Sequence, residues 1–305
     1  MKQTFIIIAG ATAAFTSNTY AQSSSASSST YSPIPRWGAA STLTNSHFII
    51  HGGKTNGDGI TPGGGGYTYS SGPNTNETIS IDLSQSFQTN AAPWQSIDRT
   101  LASQDSSPST SFHSLTPLNN GNLLIFGGMP DPSANAQSGN NSAYIVSLSN
   151  GGGHASFTRA SPSWNEPERR MYHSAAGDEQ GHVFIVGGET TSGSMAAMDQ
   201  MWTINAAANN PTFRNAIANN PPAGVIGATA TMLSDGTVLS LGGMDGNNTL
   251  QSFDTISSFS PSSQQWRSIS TQGVNSSTQG YPSPEEGMSP FLYQIRDYSF
   301  MEVQA

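Results

Sequence analysis

The 305-residue chain contains no cysteine, and this absence removes several kinds of chemistry. Without thiols there are no disulfides, no thiolate-bound metals, no cysteine nucleophile and no cofactor built on a cysteine side chain. The fold must therefore be held together by side-chain packing and backbone hydrogen bonds.

Charged residues are also scarce, at 10% of the chain, and the formal net charge is −9. The ten basic residues stand singly apart from Arg169-Arg170, so the sequence has no basic stripe that would neutralise phosphates. We therefore expect neither nucleic-acid binding nor polybasic attachment to an anionic membrane. A soluble protein with so few charges needs another means of staying dispersed, and glycosylation is one.

Residues 1–21 have the features of a secretory signal peptide. One lysine precedes an apolar run over residues 5–15, and small residues stand at Thr19 and Ala21. This pattern predicts cleavage between Ala21 and Gln22 and a secreted, extracellular protein. The alternative is a membrane anchor, but the apolar run is too short to span a bilayer, and no other stretch reaches that length.

Four Asn-x-Ser/Thr sequons agree with secretion. They lie in Gly-, Asn- or Ser-rich stretches, which are typical of exposed loops where a glycan can be attached. The candidate glycosylation sites are Asn76, Asn140, Asn247 and Asn275. A Ser-rich linker over residues 22–32 separates the signal peptide from the part expected to fold.

A Gly-Gly pair preceded by a short, largely apolar run recurs four times. The pairs are Gly52-Gly53, Gly127-Gly128, Gly187-Gly188 and Gly242-Gly243. They stand 55 to 75 residues apart, a spacing typical of repeated blades or arrays. The preceding runs FIIH, LLIF, VFIV and VLSL are rich in strand-forming residues.

Other features keep a constant distance from these pairs. Six residues earlier, three of the four units carry a turn glycine: Gly121, Gly181 and Gly236. Fourteen residues earlier stand Gly38, His113, His173 and Ala228, each followed by a small residue. The shared position of two histidines indicates packed, hydrogen-bonded side chains rather than metal ligands.

A second alternating run follows each pair, and a large aromatic residue comes after it. These aromatic residues are Trp94, Trp164, Phe213 and Trp266. Each unit therefore predicts four strands. Because no amphipathic helix pattern is present, the fold is predicted to be all-β.

This layout resembles the Kelch repeat of β-propellers, the superfamily that includes the galactose oxidase propeller. The resemblance implies four full four-stranded blades over residues 33–280, with a partial fifth blade or aberrant tail at 281–305. Kelch propellers usually close with five to seven blades, so we expect an incomplete ring and a fragment whose complete relatives carry further blades and a membrane segment. A closed four-bladed ring and a β-sandwich with glycine-rich turns are the alternatives.

In such a propeller the strands crowd together toward the axis. We expect the Gly-Gly pairs to lie there, because a side chain would collide with neighbouring backbone. The trailing aromatic residues are expected to fill the space between blades rather than to stack on sugars.

The sequence gives no sign of a catalytic centre. The resemblance to galactose oxidase implies copper beside a tyrosine–cysteine cross-link, which this chain cannot form. Glu166 and Glu168 lack the spacing of the iron-binding Kelch specifier proteins, and there is no Gly-x-Ser-x-Gly nucleophile elbow. We expect no catalytic, metal-binding or cofactor-binding residues.

These observations favour a secreted, non-catalytic binding scaffold for an extracellular protein or glycan. We expect recognition by the long blade loops, 54–77 and 129–142, because loops on a rigid scaffold commonly carry function. Two alternatives stay open: an enzyme with an unrecognised site at the propeller axis, and a truncated, non-functional gene product.

Overall fold

The computed structural model describes residues 31–44, 46–55, 72–97, 107–130, 142–149, 153–178, 180–206, 208 and 211–270. The predicted signal peptide, most of the Ser-rich linker, the tail after 270, Asn140 and Asn275 lie outside these residues, as do large parts of the two long loops. Within the described ranges, no helix has the length and apolar character needed to cross a membrane.

Four antiparallel four-stranded sheets follow one another along the chain, each with its strands adjacent in chain order. Sheet 1 comprises β1 (Ala40–Leu43), β2 (His47–His51), β3 (Thr78–Asp82) and β4 (Gln95–Ser96). Sheet 2 comprises β5 (Thr110–Pro117), β6 (Leu123–Pro130), β7 (Tyr144–Ser149) and β8 (His154–Arg159). Sheet 3 comprises β10 (Ser174–Gly177), β11 (His182–Val186), β13 (Trp202–Asn205) and β14 (Phe213–Asn215). Sheet 4 comprises β16 (Thr229–Met232), β17 (Val238–Leu241), β19 (Thr255–Ser260) and β20 (Gln265–Ser270).

Two short ribbons extend sheets 3 and 4 on the Gly-Gly side. One pairs β9 (Arg170–Met171) with β12 (Glu189–Thr190), and the other pairs β15 (Val225–Ile226) with β18 (Met244–Asp245). The only helical turns among the described residues are short 3-10 segments at Thr89–Ala91 and Pro162–Trp164. The all-β prediction is therefore confirmed.

The first two strands of sheets 2 to 4 are joined by tight hairpins that use the predicted turn glycines. Gly121, Gly181 and Gly236 have φ angles of 80°, 86° and 84°, in the left-handed region that favours glycine. Each donates its backbone N–H three residues back, to Leu118, Asp178 and Leu233 respectively.

Successive sheets pack through their first strands, β1 on β5, β5 on β10 and β10 on β16. Three apolar cores fill the spaces between sheets 1 and 2, 2 and 3, and 3 and 4. The described strands show no comparable packing of β16 on β1. This arrangement fits four blades of a Kelch propeller in an incomplete ring.

Register corrects the repeat alignment in the first unit. In sheets 1, 3 and 4 the residue before the Gly-Gly pair lies opposite Ala40, Ser174 and Thr229, respectively. The β1–β2 hairpin is one residue shorter than the others, so Ala39, and not Gly38, occupies the position of His173. Gly38 occupies the position of Tyr172.

Register also reassigns one repeat aromatic residue. Trp266 lies opposite Phe259, Phe213 lies opposite Ile204, and the equivalent pair in sheet 2 is Phe157 with Val146. Trp164 instead belongs to the 3-10 turn after β8, and it is buried in the core between sheets 2 and 3.

Candidate functional site

The four Gly-Gly pairs mark one end of the sheets, where the chain leaves each second strand for a loop. In sheets 1, 3 and 4 the second strand ends just before the pair, whereas β6 continues through it to Pro130. All eight glycines have φ between 65° and 95°, a conformation that L side chains rarely adopt. Backbone conformation therefore already favours glycine at these positions.

The first glycine of each of the first three pairs also touches the next sheet. A Cβ atom on Gly187 would lie 2.5 Å from the carbonyl oxygen of Val225. A Cβ on Gly52 or Gly127 would come closer still to the carbonyl of Thr110 or Arg170, respectively. The close approach of backbone between blades is the physical reason for this glycine.

The second glycine touches the first strand of its own sheet. A Cβ on Gly188 would lie 2.6 Å from the Cβ of His173, and one on Gly243 would lie 2.9 Å from the amide nitrogen of Ala228. The N–H groups of Gly53 and Gly188 reach the next sheet, where they donate to the carbonyls of Thr110 and Val225, both at 2.9 Å.

A line of backbone hydrogen bonds joins all four sheets at this end. Phe112 donates to Gly38 (2.7 Å), Tyr172 donates to Phe112 (3.1 Å), and Gly227 donates to Tyr172 (2.8 Å). All four residues have φ between 57° and 67°. We call these four residues the inter-sheet ladder.

Two members of the inter-sheet ladder are aromatic, although a left-handed backbone costs a non-glycine residue roughly 1–2 kcal/mol. The rings of Phe112 and Tyr172 pack with their centroids 4.6 Å apart, and the Phe112 ring also lies against Gly38. Phe112 is buried, whereas Tyr172 is half-buried, and burial raises the pKa of its hydroxyl. Ring packing therefore accompanies the strained backbone at this end.

Buried arginines bind the glycine carbonyls that these tight bends expose. Arg170 donates to the carbonyls of Gly187 (3.2 Å) and Gln200 (2.8 Å), and Arg169 donates to that of Gly128 (3.4 Å). Arg36 donates to the carbonyl of Gly52 (3.4 Å) and forms an ion pair with Glu77. Burial lowers the pKa of both Arg169 and Arg170.

Acidic side chains anchor the neighbouring loop ends. Glu166 accepts hydrogen bonds from the Ser142 amide (2.7 Å) and hydroxyl (2.6 Å). Burial raises the pKa of the Glu166 carboxyl, and this effect outweighs the lowering by these bonds and by nearby Arg169. Glu77 accepts a hydrogen bond from the Tyr31 hydroxyl (2.5 Å). Sequence reasoning missed these roles, because each bond joins residues far apart in the chain.

Three buried histidines lie between the sheets. The His51 ring bonds to the Thr78 hydroxyl (2.8 Å) and the Pro108 carbonyl (3.2 Å). The His173 ring bonds to the Arg170 carbonyl (3.2 Å) and the Ser114 hydroxyl (3.0 Å). Burial, with Arg170 nearby, lowers the pKa of His173 to about 3.

The third histidine, His113, differs from the sequence expectation of a hydrogen-bonded ring. Its ring packs against His51 with centroids 5.4 Å apart, and neither nitrogen has a hydrogen-bond partner among the described residues. Burial, together with His51 and His173, lowers its pKa well below the usual value. His113 and His173 are therefore neutral packing groups at neutral pH.

A rim of half-buried side chains surrounds the buried groups at this end. It consists of Trp37, Met129, Met171, Tyr172, Met195 and Met244. Met129 and Met244 directly follow a Gly-Gly pair, and Met195 lies beside Gly224 and Gly246, which belong to the neighbouring loops. Methionine adapts its shape readily and is common on binding surfaces that accept varied partners.

The two described glycosylation candidates differ in exposure. Asn247 is exposed in the turn after β18, where its backbone N–H donates to the Asp245 carboxylate (2.9 Å). Asn76 is half-buried, and its carbonyl accepts a hydrogen bond from the Ser107 hydroxyl (2.8 Å).

The trailing aromatic residues mostly lie between sheets. Phe213 belongs to the core between sheets 2 and 3, and Trp266 to the core between sheets 3 and 4. Trp94, in sheet 1, is only half-buried.

The described residues contain no group of three His, Asp or Glu side chains placed to hold a metal ion. Arg169, Arg170, Glu166 and His173, whose pKa values are shifted, bind backbone groups or serine hydroxyls at this end. This arrangement holds loops in place, which is the requirement of a recognition surface.

The family model of the KLHDC2/KLHL20/DRC7 Kelch-repeats domain matches residues 60–300. The match begins after β2 and includes the other strands of sheet 1 and all of sheets 2 to 4. No curated protein sequence matches the chain.

Proposed function

Because the chain belongs to the Kelch-repeat family, we propose that it is a non-catalytic scaffold that binds an extracellular protein through the Gly-Gly end of its sheets. The observation that carries the proposal is the inter-sheet ladder. It places the bases of four loop regions in one rigid frame, with the methionine and aromatic rim above it. A preorganised surface loses less conformational entropy on binding than mobile loops would.

The rim favours a protein partner over a glycan. Its half-buried side chains are thioethers and aromatic rings, which suit an apolar protein surface. Among the described residues of the rim, Trp37 and Tyr172 are the two aromatic side chains that could stack on sugar rings. A glycan is the alternative ligand.

Secretion is part of the same proposal. It is supported by the apolar N-terminal segment with small residues before Gln22, by the four sequons, and by the low content of charged residues. Asn247 is exposed, as a glycan acceptor must be.

A photo-crosslinking experiment tests the binding surface. A photoreactive amino acid replaces Met195 on the rim or, as the control, Asn120 in the exposed β5–β6 turn at the opposite end of sheet 2. Each form is incubated with the secreted proteins of the producing cells and with a glycan array. We expect crosslinks at position 195 that unlabelled protein competes away and that Tyr172→Ala weakens at least severalfold.

Equal crosslinking at positions 195 and 120 would contradict the proposed surface. Saturable binding to the glycan array without protein crosslinks would replace the protein partner with a sugar. A folded protein that captures neither would overturn the scaffold function itself.

A further inference from the structure

The loop ribbon of sheet 3 places one carboxylate between two methionines. Glu189 of β12 lies opposite Met171 of β9, and it also forms an antiparallel bridge with Met195. Residues directly opposite one another in antiparallel strands project from the same face, with their Cβ atoms about 4.5–5.5 Å apart. The Glu189 side chain therefore lies between two thioether side chains, and all three residues are half-buried.

A tyrosine of the inter-sheet ladder lies near this carboxylate. Burial raises the pKa of the Tyr172 hydroxyl, and the negative charge of Glu189 raises it further. A carboxylate beside thioethers and an aromatic ring suits the side chain of a lysine or an arginine. The alkyl stem of such a side chain packs on apolar groups while its charged head pairs with the carboxylate and is attracted by the ring.

The Glu189 carboxylate has no counter-ion within the part of the chain that the structure describes, and no side-chain hydrogen bond there either. Arg170, the cation of the same ribbon, lies opposite Thr190, one position further along. Its side chain therefore projects from the other face of the ribbon, where it donates to the carbonyls of Gly187 and Gln200. A cation supplied by a partner would meet no internal competitor in the ribbon.

The same repeat position differs in the other sheets. The residue that follows the Gly-Gly pair is Lys54 in sheet 1, Met129 in sheet 2 and Met244 in sheet 4. Lys54 is fully buried and donates to the Gly72 carbonyl (2.9 Å). Glu189 is thus the carboxylate among these four residues, and the repeat itself does not require an acidic side chain here.

An apolar site lies next to this carboxylate, in sheet 4. Met244 lies opposite Ile226 of β15 and forms a bridge with Leu250, which is the arrangement of the sheet 3 ribbon with an apolar residue at its centre. Met195 connects the two sites, because a Cβ added to Gly246 would lie 4.0 Å from its sulfur. The rim therefore offers an acidic site in sheet 3 beside an apolar site in sheet 4.

The amino-acid composition of the loops after the Gly-Gly pairs also favours a cationic partner. Residues 54–77, 129–142, 189–200 and 244–254 contain a single Lys or Arg, the buried Lys54. Long-range attraction to a cation speeds association and is screened by salt. The acidic residues of these loops are Asp58, Glu77, Asp131, Glu189, Asp199, Asp245 and Asp254.

We infer that the rim binds a partner segment in which a lysine or arginine stands beside an apolar residue, and that Glu189 selects the cation. The inference rests on the proposed scaffold function and names the chemistry of its partner. The cation pairs with Glu189 between Met171 and Met195, while the apolar residue lies on Met244. Charge complementarity is the feature that assigns this surface to a basic segment.

Peptide selection on the full chain tests the chemistry of the partner. A displayed library of random peptides is selected on the immobilised protein at low salt, and we expect enrichment of Lys or Arg next to Leu, Met or Phe. Fluorescence anisotropy then measures the affinity of a selected peptide. Glu189→Gln should weaken binding about tenfold with unchanged circular dichroism, and added salt should weaken binding to the wild-type protein.

A charge exchange distinguishes direct pairing from a structural role. Glu189→Lys should lose the selected peptide and should instead bind the same peptide with Glu in place of its cation. Met244→Ala should weaken binding severalfold without changing its salt dependence. Asp235→Asn is the matched control, because it removes an equal charge from the exposed β16–β17 turn at the opposite end, and it should leave the affinity unchanged.

Several results would overturn the inference. Selected peptides that lack a cation, or equal affinity of the wild-type protein and Glu189→Gln, would exclude Glu189 as the selecting residue. An equal loss of affinity in Asp235→Asn would replace the site with a general effect of net charge. Failure to select any peptide would also overturn the inference. Crosslinking at position 195 decides separately whether the scaffold function stands.

Discussion

The two glycines of each pair contact different parts of the molecule. In the first three pairs the first glycine meets a carbonyl of the next sheet, and in every pair the second meets residues in or just before the first strand of its own sheet. The turn glycines have the same left-handed backbone, but a Cβ on Gly121 or Gly236 would have no atom within 4 Å. The left-handed backbone and the close approach of neighbouring atoms are therefore two separate reasons for glycine at a position.

This separation predicts unequal costs for two glycine-to-alanine substitutions. Gly121→Ala should lower the free energy of unfolding by about 1 kcal/mol, the cost of a left-handed alanine. Gly187→Ala adds a clash with the Val225 carbonyl and should cost roughly 3 kcal/mol or more. Urea denaturation measures both, and equal losses would contradict the role of close approach.

The buried histidines predict acid sensitivity. The pKa of His173 is about 3 in the folded protein, below its ordinary value of 6.5, so the unfolded chain binds the proton more readily. The stability contributed by neutral His173 is present in full above about pH 6.5 and is lost as the pH falls toward 3. His113 acts in the same direction.

For His173 alone, the loss should reach roughly 2–3 kcal/mol at about pH 4.5. Denaturation of the wild-type protein and His173→Gln at a series of pH values measures it. The variant should be less stable at neutral pH and should lose less stability on acidification. Parallel pH profiles for the two proteins would refute this assignment.

At the scale of the element, equivalent side chains differ in burial according to the sheet in which they lie. Phe157, Phe213 and Trp266 occupy equivalent positions in sheets 2, 3 and 4. Each lies in the core that its sheet shares with the preceding sheet. Trp94 holds the corresponding place in sheet 1 and is half-buried. The same residue type therefore has two environments, because among the described sheets a preceding sheet packs against Trp266 but not against Trp94.

Two tryptophan substitutions, each followed by urea denaturation, test this difference in burial. Trp266→Ala should cost roughly 3–5 kcal/mol of unfolding free energy, because it leaves a cavity between sheets 3 and 4. Trp94→Ala removes a ring that is only half-buried and should cost about 1 kcal/mol. Equal losses of stability for both variants would contradict the difference in burial between Trp94 and Trp266.

At the scale of the whole molecule, four sheets form an arc with three complete interfaces and two apolar faces at its ends. The Gly-Gly end is rigidly connected by backbone hydrogen bonds and arginine side chains. The arc therefore has two kinds of surface: the proposed recognition surface on one side, and apolar faces on sheets 1 and 4 at its ends.

Processing of the whole chain is a separate prediction. Expression with its own N-terminus in a eukaryotic secretory host should release protein that begins at Gln22 and loses mass on enzymatic removal of N-glycans. Asn247→Gln should remove one glycan, because this residue is exposed. Protein retained in cells with Met1 intact would contradict the signal-peptide assignment.

Much of the fold could be predicted from local sequence patterns. Apolar runs before Gly-Gly, turn glycines and alternating runs repeat along the chain, and each feature spans only a few residues. The proposed binding surface was harder to predict, because its bonds join distant residues: Arg36 with Glu77, or Gly188 with Val225. No local pattern encodes such pairs.

The sequence by itself determined that the protein is all-β, built from four units, free of thiol chemistry and punctuated by glycine where strands end. These properties depend on composition and on short-range backbone preference. Only the tertiary structure decided that Phe157 is the repeat aromatic of sheet 2, that the first hairpin is one residue shorter, and which glycine meets which sheet. Register and packing between sheets settle these points, because both depend on contacts between segments that are far apart along the chain.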